Sequence, residues 1–101
     1  MTNLNEGRPR HPTYGAPLSG APTVWGGVVF RPYRIGISRY VRISDDFRIE
    51  VHGASIYSTT STVFVDGLPI CTQPRRPTRY RTDKAAAEAG VKALKRQEAA
   101  Q

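Results

Sequence analysis

Apolar residues recur at every second position through most of residues 33–51, and from Ala86 to Leu94 at every third and fourth. A period of two belongs to strands that bury one face, and a period near 3.6 to a helix that buries one stripe. The chain is therefore required to set a sheet against a helix, which is an α+β arrangement. Of its 101 residues, 21 are Leu, Ile, Val or Phe, and 19 of those lie between Val24 and Leu94. One core is what such a length supports, so residues 24–98 are read as a single domain and residues 1–23 as a flexible basic arm. The arm is rich in Gly, Pro, Asn, Ser and Thr, carries Arg8, Arg10 and His11, and shows no apolar period. It has nothing to bury against the entropy of ordering, so no helix is expected in it.

The strands follow from alternation and turn residues. Residues 25–30 form the first, with Gly26-Gly27 as a bulge or bend and Pro32 ending it or holding it at an edge. A second, over residues 33–43, puts Tyr33, Ile35, Ile37, Val41 and Ile43 on one face and Arg34, Tyr40 and Arg42 on the other. Asp45-Asp46 marks a turn, after which Phe47, Ile49 and Val51 alternate with Arg48, Glu50 and His52. Residues 56–65 form a further strand that enters Asp66-Gly67, a pair suited to a type I′ hairpin. The returning residues 68–71 belong at a sheet edge, because Pro69 has no N–H to give a further neighbour.

Thr82 or Asp83 can cap a helix whose stripe is Ala86 or Ala87, Gly90, Val91 and Leu94. The expected fold is an antiparallel meander of three to five strands with one C-terminal helix packed on one face. If the helix covers Tyr33, Ile35, Ile37, Val41 and Ile43, then Arg34, Tyr40 and Arg42 stand on an uncovered face.

The formal charge is +7, and 12 of the 15 basic residues are Arg. Arginine offers a planar fork of donors that matches phosphate and carboxylate and stacks on rings, whereas solubility alone is served as well by lysine. The expected partner is an anion, nucleic acid or an acidic protein surface. Arg75, Arg76, Arg79, Arg81 and Lys84 stand together against the single acid Asp83, and Pro74 and Pro77 are expected to hold that loop extended. Arg34, Tyr40, Arg42 and Arg48 form a second set that combines phosphate contact with base stacking. The competing reading is a solvated face whose charges pair locally with Glu50 or Asp45.

Catalysis finds little support. His11 and His52 have no motif-spaced nucleophile or acid, and the acids are scattered singly apart from Asp45-Asp46. Gly26-Gly27 lacks the spacing of a nucleotide loop. No metal or cofactor is expected. The lone Cys71 excludes an internal disulfide and reads as a small hydrophobe in a strand of a cytoplasmic protein. No apolar run approaches the ~20 residues of a membrane span, and no signal-peptide pattern is seen. Trp25, Phe30 and Tyr33 are read as core, with a subunit interface as the alternative.

The run from Tyr80 to Ala89, continuing to Leu94, resembles the strand-to-helix junction of the three-stranded arm-type DNA-binding domains of phage and transposon integrases. That resemblance covers about a third of the chain and rests on an aromatic residue and a Thr before an Ala-rich helix. It implies that the sheet face carrying Arg34, Tyr40, Arg42 and Arg48 enters a DNA major groove. The same run resembles the last helix of double-stranded-RNA-binding domains, with Lys84, Ala86, Ala89 and Leu94 in matching places, but Pro12, Pro17 and Pro22 stand where that family has its first helix. Small phage-encoded accessory proteins share this size and mix of elements. The sequence is thus read as a non-enzymatic nucleic-acid-binding accessory protein of mobile-element type, with DNA favoured over RNA. The alternative is an inhibitor of a bacterial defence complex that docks its arginines on an acidic surface or a guide-RNA channel.

Overall fold

The computed structural model describes residues 10–36, 39–53 and 59–100. The first reversal within its main sheet is made by Gly26 and Gly27, whose φ angles of 60° and 79° are the left-handed pair that a type I′ turn needs. The pair is therefore a hairpin turn between β1 (Thr23–Trp25) and β2 (Val28–Ile35), not the bend within a strand that the sequence suggested. The expected strand over residues 33–43 is likewise divided. Gly36 ends β2, and β3 (Arg39–Ser44) runs back along it, pairing Tyr33 with Val41 and Arg34 with Tyr40. Ile37 and Ser38 lie outside the described residues.

The sheet continues through β4 (Ile49–His52), β5 (Thr62–Val65) and β6 (Leu68–Pro69), in sequence order and antiparallel throughout. Two glycine-bearing reversals raise the strand count to six, above the expected three to five, while the α+β class and the meander hold. Of the expected strand over residues 56–65, Thr62–Val65 is paired, and residues 56–58 lie outside the described part. Asp66 and Gly67, at φ 51° and 82°, form the expected tip, with Val65 opposite Leu68 and Phe64 opposite Pro69 at the sheet edge.

Helix α1 (Asp83–Ala99) starts at Thr82, whose side-chain oxygen accepts from the Ala85 N–H at 3.1 Å. It buries the expected stripe of Ala86, Ala87, Gly90, Val91 and Leu94. The face beneath that stripe is another matter. The expectation that Tyr33, Ile35, Val41 and Ile43 meet the helix is overturned: its partners are Phe30, Ile49, Val51, Val63 and Val65. The cause is the four-residue loop 45–48, which pairs Ile43 with Glu50, an odd position with an even one. Crossing that loop moves the odd residues to the other side of the sheet. Both sides are consequently apolar.

The second side holds Tyr33, Val41 and Ile43, with Tyr14, Ile35 and Phe47 packed on them. The cover comes from the N-terminal arm. Residues 10–22 contain no helix, as their composition requires, but they are seated on the sheet. His11 Nδ1 accepts from the N–H groups of Thr13 and Tyr14 at 3.0 and 3.2 Å, closing a turn that the His11–Gly15 bridge completes. The His11 ring stacks on Tyr14 and meets the edges of Tyr33 and Phe47. Farther along, Leu18 N–H donates to the Pro32 carbonyl at 2.8 Å. Burial, and then the neighbouring Glu50, raise the Tyr14 phenol above its ordinary pKa, while burial followed by Asp45 does so for Tyr33.

Two outcomes check this packing. A Cβ at Gly90 would lie 2.8 Å from Val63 Cγ2 and 2.9 Å from Ile49 Cγ2, methyl groups on stiff β-branched side chains. Overpacking of about 1–3 kcal/mol outweighs the ~1 kcal/mol of helix propensity that Gly90→Ala gains, so the variant should melt several degrees lower in a thermal scan. The second concerns Asp66, whose carboxyl is held below its usual range, chiefly by its hydrogen bonds from Arg48 and also by Gln97. A depressed native pKa gives stability that is present above about pH 4, the unfolded value, and is lost as pH falls further. Asp66→Asn, which tolerates the same left-handed backbone, should have a lower urea midpoint at pH 7 and a flatter acid decline than the parent.

Candidate nucleic-acid interface

The arginine-rich segment after β6 is built from turn chemistry. Pro74 fixes the φ that the first turn position wants, and Arg75, at φ 65°, takes the left-handed second position. The chain reverses there, so that β7 (Cys71–Gln73) and β8 (Arg76–Pro77) pair as a small hairpin with a bulge between Cys71 and Gln73. The expected extended loop is thus corrected to a hairpin, in which backbone groups that an extended loop would leave to water bond each other. Thr78 N–H donates to the Ile70 carbonyl and closes its neck. Beyond it, Tyr80 exchanges hydrogen bonds of 2.8 and 2.7 Å with Ser61 and resumes the edge line that β6 began. The hairpin is an excursion from the edge of the sheet. An open cleft of about 640 Å³ is lined by Gln73, Arg75, Arg76, Pro77, Thr78 and Arg79. Cys71 is exposed at its base, with Sγ 3.6 Å from the Pro69 carbonyl, instead of serving as a buried hydrophobe.

The other anticipated residues divide by what holds them. Arg48 is the most constrained: Nε and Nη2 grip Asp66 at 2.9 and 2.8 Å, and Nη1 reaches Glu98 at 2.9 Å. Those bonds, the Asp66 ones foremost, raise its pKa further and bind the β5–β6 turn to the end of the helix. Arg34, Tyr40 and Arg42 point to the side that carries the helix, not to an uncovered face, because the parity change at residues 45–48 reverses the assignment. Arg42 lies over the Trp25 ring at 5.6 Å and within 3.8 Å of Asp83. Arg34 and Tyr40 stand farther out on the same side, the guanidinium 5.8 Å from the ring centroid and Tyr40 55% exposed. Trp25 packs on Phe30, which is buried as expected for core, and Tyr33 is buried on the opposite side.

Six of the acids are committed elsewhere. Asp45 pairs with the buried Arg31, Asp46 accepts from Ser44, Asp66 and Glu98 hold Arg48, and Asp83 accepts from Ser61 Oγ at 2.6 Å. Glu50 is shared by Tyr14 and His52. Among the described residues Arg75, Arg76, Arg81 and Lys84 have no acidic partner, and Arg79 donates to Thr60 Oγ1 at 3.2 Å. Arg79, Arg81 and Lys84 surround the start of the helix, at the end of the sheet that also carries Arg34 and Tyr40. Three strand spacings of about 4.8 Å put the Tyr80 line roughly 14 Å from β3. Arg79, Arg81 and Lys84 therefore form a basic band at the start of α1 beside the hairpin, with Arg34 across the end of the sheet from them.

The Glu50–His52 pair, at 2.7 Å, was missed in the sequence, where two residues at i and i+2 on a strand are the signal that could have found it. Phe64 packs edge-on against the His52 ring. Among the described residues no group of three His, Cys, Asp or Glu side chains could hold a metal ion, and no helix is long and apolar enough to cross a membrane. Comparison with family models, curated proteins and solved structures finds no match to the chain.

A left-handed arginine costs about 1–2 kcal/mol relative to an ordinary backbone, a cost glycine avoids. Arg75→Gly should therefore leave the thermal midpoint unchanged or raise it, while the hairpin loses its apical charge.

Proposed function

We propose that this chain is a non-enzymatic nucleic-acid-binding protein whose interface is the β7–β8 hairpin together with the basic band at the start of α1. One observation carries the reading: Asp45, Asp66, Asp83 and Glu98 pair internally with Arg31, Arg42 and Arg48, while Arg75, Arg76, Arg81 and Lys84 have no acidic partner among the described residues. Charges that served only local ion pairing would be distributed the other way. Arginine in these positions suits phosphate oxygens through its fork of donors. Tyr40, exposed beneath Arg34, adds a ring on which a base can stack at a neighbouring site. Both histidines take part in the architecture, His11 as a turn acceptor and His52 as the partner of Glu50.

The reading is tested by measuring affinity for duplex nucleic acid at several salt concentrations. Counterion release predicts log K falling linearly with log salt, by about 0.9 per phosphate contacted. Arg76→Ala with Arg81→Ala should lower that slope by about two contacts, with little change in thermal midpoint because both side chains are exposed. Binding that survives nuclease treatment, through an acidic polypeptide and without a salt slope of this kind, would replace nucleic acid by a protein partner.

A further inference from the structure

We infer that the ligand is B-form DNA approached from its minor groove, with Arg75 as the side chain that enters it; this rests on the nucleic-acid reading above. The hairpin apex has two residues, Pro74 and Arg75, and only one of them can present a charge. That charge sits on a backbone position where glycine is the relaxed choice. A strained arginine kept at an apex points to a use for its side chain there. Shape narrows the use. At a two-residue apex the part that projects beyond the paired strands is a single side chain. The minor groove of B-DNA, roughly 6 Å wide, admits one extended guanidinium while excluding the ribbon, the helix and the body of the sheet.

Charge placement agrees. Arg76 follows the apex on β8, Arg79 is steadied by Thr60 beyond the neck, and no acid occurs from Gln73 to Thr82. With Arg75 on the groove floor, these two can reach phosphates along the walls. Pro74 and Pro77 supply apolar rings without amide donors at the tip and its flank, suited to sugar edges. The groove that best rewards an inserted guanidinium is the narrow one of A·T tracts, where the phosphates concentrate negative potential. The minor groove of an RNA duplex is wide and shallow and offers no such focus.

The experiment measures the intact chain by fluorescence anisotropy on short duplexes of equal length: A-tract DNA, G·C-rich DNA and RNA. The expected result is an A-tract affinity about tenfold above the other two, abolished by netropsin, a ligand that fills the A·T minor groove. Arg75→Lys keeps the charge and removes the fork, and should bring the A-tract affinity down to that of G·C-rich DNA. Arg75→Gly should do the same on a relaxed turn, which separates loss of the side chain from damage to the hairpin. Arg81→Ala should weaken all three duplexes alike and leave the preference intact. Equal affinity for the three duplexes, a preference that survives Arg75→Lys, or indifference to netropsin overturns the minor-groove assignment and leaves nucleic-acid binding standing. Failure to bind any of the duplexes overturns both.

Discussion

The Ser44 hydroxyl fixes the loop on which both faces of the sheet depend. It donates to Asp46 at 2.6 Å and accepts from the Ile49 N–H at 3.0 Å, while the Ser44 carbonyl accepts from Phe47 N–H at 2.8 Å. Asp46 also takes the Arg48 N–H, so a fully buried serine ties down a four-residue loop whose Phe47 has a left-handed backbone. Four is an even number, and the count decides everything above and below the sheet. Ile49 and Val51 turn toward the helix, whereas Ile43 and Val41 turn toward the arm. A loop one residue shorter would put Glu50 and His52 under α1, at the cost of burying polar groups with no partners there.

This explains which parts of the structure were legible in the sequence. Elements were readable where a single residue type dictates a local conformation: Asp66-Gly67 at the hairpin tip, Pro69 at the edge, Thr82 at the helix cap and the small stripe from Ala86 to Leu94. The assignment of faces was not, because apolar alternation continues through both β3 and β4 and carries no mark of the side on which each set falls. Gly26-Gly27 and Gly36 were ambiguous for a related reason, since glycine serves a bulge and a reversal equally well until the pairing of flanking strands is known. The basic hairpin was hidden because Pro74 favours an extended chain and a turn alike, and the residue that settles the matter is an arginine in a place where glycine would have announced it.

Among the candidate residues, composition marked a basic segment but could not sort its members. Arg48 looks like Arg76 in the sequence, yet the first has two acids across the fold and the second has none among the described residues. Sorting required the long-range topology that brings Asp66 and Glu98 to Arg48, 18 and 50 residues away. The arginines accordingly fall into two sets. Arg31, Arg42 and Arg48 offset acids and join elements, whereas Arg34, Arg75, Arg76 and Arg81 are exposed.

The edge of the sheet is continuous in space but not in sequence: it runs through Leu68–Pro69, pauses, and resumes at Tyr80 opposite Ser61. Ile70 belongs to both sides of that pause, its N–H donating to Val63 and its carbonyl accepting from Thr78. The hairpin between those points is therefore a graft on a closed stem. Its length and tip can vary over evolutionary time without shifting the register of any core strand, since the hydrogen bonds at Ile70 and Tyr80 already fix where the excursion leaves and rejoins the edge. A scaffold of this kind separates the residues that folding requires from those free to change, and lets one small core carry a succession of different tips.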